Sequence, residues 1–220
     1  MSYRLLALTL ILSLPWFALG GCAVQSMSAH SAHQMHNLAD SSMDHSAHQA
    51  LMQDKDYTRS VQTYSPPDLL LTDNLGRDVS LAELLQTDKP VIVNFLYATC
   101  TTICPLLSMG YIDLQRGLGE DSKDILLISV TIDPEHDTPE VLEAYRKKFH
   151  GQPGWTLLTG SRIDIDGVMN AFDAFFGDKM DHQPLNFIRL PEQGEWLRLN
   201  GMLNGSDFIR EMEMAGVWNR

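Results

Sequence analysis

The sequence predicts an α/β fold built on a largely parallel sheet. Two observations carry this. Residues 91–97 and 125–132 are short, mainly apolar runs rich in Val, Ile and Leu, as strands buried on both faces are. Between and after them, apolar residues recur at helical spacing, so strands alternate with helices, as in βαβ units. The 220 residues, 44% hydrophobic and 20% charged, leave room for one domain of about 150 residues plus extra segments.

The folded part is expected to begin near Tyr64, with Pro66 and Pro67 marking its entry. Leu69 to Val79 reads as a hairpin closed at Gly76, and Ser80 starts a short helix. Pro90 precedes the first buried strand, 91–97. Pro105 opens the next helix, with Leu106, Met109 and Leu114 as its apolar positions. The second strand spans 125–132. Pro139 begins a helix capped by Asp137 or Thr138, which carries Val141, Leu142, Tyr145 and Phe149 and ends at Gly151. A third strand covers 155–158. A helix over 163–176 follows, with Val168, Met169, Phe172 and Phe175 on one face. Residues 185–190 and 196–199 form a closing hairpin about a turn at 192–194, and Ser206 caps a last helix through Met214. That order fits a thioredoxin-like fold with an N-terminal β-hairpin extension.

Upstream lie two segments of other composition. Residues 1–22 have one cation, Arg4, an apolar run over 5–14 and small residues before Cys22, as in a secretory signal. The run is short for a membrane span, which takes about 20 residues. Leu19-Gly20-Gly21-Cys22 is similar to a bacterial lipobox, which would make Cys22 a lipidated first residue of an exported, periplasmic protein anchored to the inner or outer membrane. Residues 23–63 lack apolar periodicity and read as a disordered tether, reaching about 35 Å as a flexible coil. Within residues 27–52 stand His30, His33, His36, His45 and His48 with Met27, Met35, Met43 and Met52. This is either a polar spacer or a copper-collecting arm, since imidazole suits copper and thioether selects Cu(I).

The net charge of −12 argues against nucleic-acid binding, which needs a basic footprint, and against docking on anionic lipid. Three cysteines are too few for a disulfide scaffold. Two of them, Cys100 and Cys104, lie where a buried strand gives way to a helix, the end of an α/β sheet at which ligands bind. A helix N-terminus favours the thiolate. Four residues apart, the two sulfurs can meet as a redox disulfide or face one metal ion.

The segments NFLYATCTTICP, SVTIDPEHDTPEVLEAYRKKF and LLTG resemble the Sco/SenC family over roughly residues 66–214. The resemblance implies a copper-binding, thioredoxin-like protein linked to assembly of the dinuclear copper centre of cytochrome c oxidase. It maps the family's ligands to Cys100, Cys104 and His182, a trigonal set for Cu(I), with Cu(II) also open. His136, in an acidic loop, and His150, at a helix end, are the rival histidines and read as surface residues. Asp133 matches the family's Asp-Pro and stands either near the site or as a turn carboxylate bonding local N–H groups. Met109 reads as core. Pro184 occupies the place of the thioredoxin cis-proline, so a cis Gln183–Pro184 bond is expected, and with it more dithiol–disulfide activity than in a pure carrier.

Two functions follow. One is a metallochaperone that takes copper from a donor chaperone and passes it to a cuproenzyme such as cytochrome c oxidase subunit II. The other is a thiol–disulfide oxidoreductase that keeps a target's copper-site cysteines reduced. A peroxide-reducing enzyme is a weaker third, because the P-x-x-x-T-x-x-C pattern is missing.

Overall fold

The computed structural model describes residues 57–191 and 194–219. The expected signal segment, Cys22 and the His/Met-rich stretch lie outside them. Eight strands form one sheet: β1 Tyr57–Thr63, β2 Leu70–Asp73, β3 Asp78–Ser80, β4 Val91–Leu96, β5 Leu126–Thr131, β6 Trp155–Thr159, β7 Leu185–Arg189 and β8 Glu195–Gly201. Their order across the sheet is β1-β8-β7-β4-β5-β6-β2-β3. The β4–β5 and β5–β6 pairs are parallel, and β7 runs antiparallel to β4. The expected thioredoxin-like centre and both hairpins are present, and β2 joins the main sheet through β6. Every residue of β4 is buried, which is why its sequence shows no polar alternation.

The helices are α1 Leu81–Leu85, α2 Ile103–Leu118, α3 Pro139–Lys148, α4 Arg162–Ala171 and α5 Gly205–Met214. Ser80, Thr138 and Ser161 cap α1, α3 and α4 by accepting backbone N–H bonds. On one face of the sheet, α2 meets α3 through the Ser108–Tyr145 hydroxyl pair at 2.8 Å. It meets α5 where Tyr111 packs on Phe208. The opposite face holds an aromatic cluster of Phe95, Phe172, Phe187, Tyr64 and Trp196. Where α2 and α5 cross, both chains carry glycine. A Cβ on Gly205 would sit 2.5 Å from Leu114 N, and one on Gly110 would strike the Leu203 carbonyl.

Several expectations are corrected. Strand β1 already runs from Tyr57, so the end of the supposed tether is an edge strand. β1 is exposed along all but Tyr57, so no hydrophobic period marked it. Its pairing with β8 holds it, and Tyr57 OH (2.6 Å) and Arg59 Nε (3.1 Å) tie it to the buried Glu211 carboxylate of α5. The helix expected over 163–176 stops at Ala171, because the chain turns through positive φ at Asp173 and Gly177. Pro105 stands inside the first turn of α2, not at its start. Asn204, not Ser206, caps α5, in a capping box with Asp207. Leu106 and Met109 face outward, since α2 buries Cys104, Leu107, Tyr111, Leu114 and Leu118 instead.

Among the described residues no peptide bond is cis, so Gln183–Pro184 is trans. Pro184 sits at the centre of a tight turn in which Leu185 N–H donates to Gln183 O at 2.9 Å, and its own carbonyl accepts from Gly201 N–H. A proline ring suits the middle of such a turn. The expectation of extra dithiol activity loses its structural ground with it.

Gly205→Ala should be destabilised by about 2 kcal/mol through overpacking of the α2–α5 crossing, with an unchanged denaturant slope. Urea unfolding measures both, and a change below about 0.5 kcal/mol would show that the crossing relaxes freely.

Candidate metal centre

Cys100 closes the turn that leaves β4, its N–H donating to Tyr97 O at 3.2 Å, and Cys104 lies in the first turn of α2. Both are buried and both are free thiols. Thr102, at the N-cap of α2, makes no side-chain capping bond. The Cys100 sulfur takes that place: it accepts the Cys104 N–H at 3.4 Å and lies 3.5 Å from Thr102 Oγ1. Burial alone would push the Cys100 thiol up. The hydrogen bonds from Cys104 and Thr102 outweigh it and bring Cys100 down to about 7. Cys104 is raised far above an ordinary thiol, first by burial and then by the neighbouring Cys100 and Asp137.

The third group arrives from the other side. A 3-10 turn, Lys179–Asp181, is capped by Asp178 and ends at His182 in extended backbone just ahead of β7. His182 Nδ1 lies 2.9 Å from Lys179 O. A carbonyl can only accept, so Nδ1 carries the proton and Nε2 presents its lone pair. Nε2 is 3.2 Å from Cys104 Sγ. Burial lowers His182, keeping the imidazole neutral, the form that ligates metals. The ligand atoms of Cys100, Cys104 and His182 all lie within 4.8 Å of one another. Two sulfurs and one nitrogen fit Cu(I), whereas structural Zn(II) takes four ligands. The sequence-assigned trio is therefore brought together.

Other residues hold this geometry. Lys179 Nζ bonds Asp133 Oδ2 at 2.6 Å and lies 5.5 Å over the Tyr97 ring. Tyr97 in turn sets its ring edge-on to His182 at 5.2 Å, and its hydroxyl is 3.5 Å from Met180 Sδ. Asp133 thus serves the site indirectly: its carboxylate goes to the side chains of Lys179 and His136 (3.0 Å), not to local N–H groups. Burial opposes its charge, but Lys179 and His136 prevail and hold it below the usual carboxylate range. Asp137, fully buried, accepts from Ala98 N–H at 3.0 Å and from Thr131 Oγ1, fixing the turn that carries Cys100. Burial raises Asp137.

His136 is two-thirds exposed and stands outside the ligand trio, and His150 is exposed at positive φ after α3. Met109 is 42% exposed, which corrects its reading as core, and it is no member of the trio either. Lys179, Tyr97, Met180 and Asp137 were not anticipated as site residues. Tyr97 and Asp137 lie inside the quoted motifs, but nothing in residue type or spacing marked what they touch.

The SCO1/SenC family model matches residues 62–193, and the chain belongs to that family. A SCO2-like protein of Rickettsia felis is 32% identical over 117 residues, 49% of this chain; the chain spans 56% of that relative's length. Among solved structures, BsSco, a member of the Sco family of cytochrome c oxidase assembly proteins in which a disulfide switch was identified, is 27% identical with a TM-score of 0.60, covering 74% of this chain and 99% of that one. Bradyrhizobium japonicum ScoI, solved with copper bound, is 25% identical with a TM-score of 0.52, covering 61% and 87%.

In the reduced protein, iodoacetamide should label Cys100 first. Its rate should rise through a midpoint near pH 7 and fall about tenfold per pH unit below it, as the reactive thiolate is protonated. Peptide mass spectrometry resolves the two thiols, and equal labelling of Cys104 would contradict this ordering.

Proposed function

We propose that this SCO1/SenC protein is an exported copper carrier that binds Cu(I) through Cys100, Cys104 and His182 and passes it to a cuproenzyme. The observation that carries the reading is the unprotonated Nε2 of a neutral His182 set against a buried cysteine sulfur, with a second, more acidic thiol in the same cluster. Copper bound to Bradyrhizobium japonicum ScoI supports the choice of metal. The description of the Sco family as cytochrome c oxidase assembly proteins supports an acceptor in that complex, with the dinuclear copper centre of subunit II as the expected target. The signal-like residues 1–22 and Cys22 support a lipid-anchored periplasmic location, facing one bacterial membrane, where a donor chaperone can load the site.

The chain's own residues suggest the order of loading. Cys100 is the thiol nearest to ionised at neutral pH and takes the incoming ion first. Cys104 must then shed its proton, so loading releases protons and weakens as pH falls. His182 completes the set without deprotonation, because its Nε2 carries no proton. Closing the Cys100–Cys104 disulfide removes both sulfur ligands, which couples copper holding to redox state.

A second reading rests on the same thiols. An acidic outer thiol beside a buried, high-pKa partner is the pairing of an attacking and a resolving cysteine in a thiol–disulfide oxidoreductase. That chemistry needs both cysteines and not the imidazole.

An anaerobic Cu(I) titration of the reduced protein against a competing chelator separates the readings. One tight equivalent is expected, lost in Cys100→Ser/Cys104→Ser and weakened more than about tenfold in His182→Ala. Tight binding indifferent to His182 would favour the oxidoreductase. Lys179→Met should lower copper affinity about tenfold by freeing the His182 turn, with some loss of fold stability because Asp133, its partner, is buried. Unchanged affinity in Lys179→Met would show that the ion pair does not position the imidazole.

A further inference from the structure

One hydroxyl lies between two sulfurs at the mouth of the site. Tyr97 is buried, but its hydroxyl reaches out and donates to Met180 Sδ at 3.5 Å. Burial first, then the charge of Cys100 and a hydrogen bond with it, push that hydroxyl up to about 12. It therefore stays a donor at neutral pH and lies beside the Cys100 sulfur as well. Met180 Sδ stands one hydroxyl away from Cys100, while the same tyrosine sets its ring edge-on to His182 at 5.2 Å. An exposed methionine alone is ordinary. One tied to the tyrosine that also meets two of the ligands is not.

A single turn presents both Met180 and His182. Asp178 Oδ1 accepts the Met180 N–H at 2.9 Å, and Lys179 O accepts from His182 Nδ1 at 2.9 Å. The backbone is thus fixed where the two donors leave it. Beyond that point the Met180 side chain is 73% exposed and has three rotatable bonds. Cys100 is 5% exposed and Cys104 is 0%. Of these three sulfurs, the thioether is the one that an incoming or departing ligand meets first. It is soft enough to bind Cu(I). Being neutral, it holds the ion more weakly than a thiolate does.

We propose that Met180 is a transit ligand for copper, its thioether bonding Cu(I) at the mouth of the site on the way in and on the way out. This deepens the carrier reading and rests on it. On release, the Cu(I)–Nε2 bond to His182 breaks as a Cu(I)–Sδ bond forms, with no electron and no proton transferred. An acceptor's ligand then takes the ion from the thioether side, and the cysteine sulfurs regain their protons from solvent. Loading runs through the same steps in reverse. At rest the Tyr97 hydroxyl bonds the thioether and keeps it off the ion.

The test uses the full chain, reduced and anaerobic, beside Met180→Leu, which removes the sulfur and nearly keeps the shape at an exposed position. Met109→Leu, at an exposed thioether outside the trio, is the control. A chromogenic Cu(I) chelator reads affinity at equilibrium and transfer rates by stopped flow. In Met180→Leu, release to the chelator and uptake from it should both slow about tenfold, with affinity held within about twofold. A ligand used only in passage lowers the barrier and leaves the end states alone. Met109→Leu should match the unaltered chain. X-ray absorption gives a second readout. With the imidazole removed in His182→Ala, copper should gain a further sulfur neighbour, lost again in His182→Ala/Met180→Leu. Equal transfer rates, with one tight equivalent in both chains, would overturn the transit ligand and leave the carrier reading standing. So would a like slowing in Met109→Leu, or the same sulfur count in both His182→Ala chains. Weaker affinity with faster release in Met180→Leu would also overturn it, by making Met180 part of the resting site. No tight equivalent in the unaltered chain would take down the carrier reading itself.

Discussion

The antiparallel pairing of β7 with β4 is the constraint on which the site depends. Asn94 opposite Asn186 is enough to set the register, and from it the end of β4 and the head of β7 come to the same edge of the sheet. Cys100 and His182 are 82 positions apart in the chain, yet each lies only a few residues beyond that shared edge. A slip of one residue would turn Phe95 and Phe187 out of the aromatic cluster, so the same packing that stabilises the core also fixes the spacing of the ligands.

Around that register the two halves of the site are built by different means. The cysteines hang from backbone: a buried strand, a turn pinned by Asp137 and a helix whose Cys104 N–H is taken up by the Cys100 sulfur. The histidine hangs from side chains: an ion pair, an aromatic edge and one carbonyl bond. One thiolate is thereby favoured at neutral pH while the deeper thiol keeps its proton, and the imidazole needs no proton change to bind. The electrostatics follow from burial and from where the α2 N-terminus points, not from any cation next to the sulfurs.

Much of this was legible in the sequence. The mainly apolar β4 and β5, the Pro139 helix start and the C-x-x-x-C spacing state their structures locally, because burial on both faces, proline geometry and one helical turn are short-range properties. His182 was reachable only through family resemblance, since no spacing rule links it to Cys100. Strand β1 was missed because it is an exposed edge held by backbone pairing and by Glu211, neither of which leaves an apolar period. Met109 was placed in the core because Leu106 and Met109 repeat at helical spacing, but the buried face of α2 is set by Tyr111 and by the glycine crossing with α5. Pro184 is trans because it serves a tight turn whose hydrogen bonds pair residues on two strands.

The glycines at the α2–α5 crossing give the site unequal mobility. With backbone against backbone, α2 has no side-chain layer on which to slide, so Cys104 is the stationary jaw of a vice. The opposing jaw, the turn bearing His182, is fastened by a lysine that solvent can reach. Under the carrier reading, an ion held between them would leave on the histidine side, with the sulfurs staying behind to meet the next ligand.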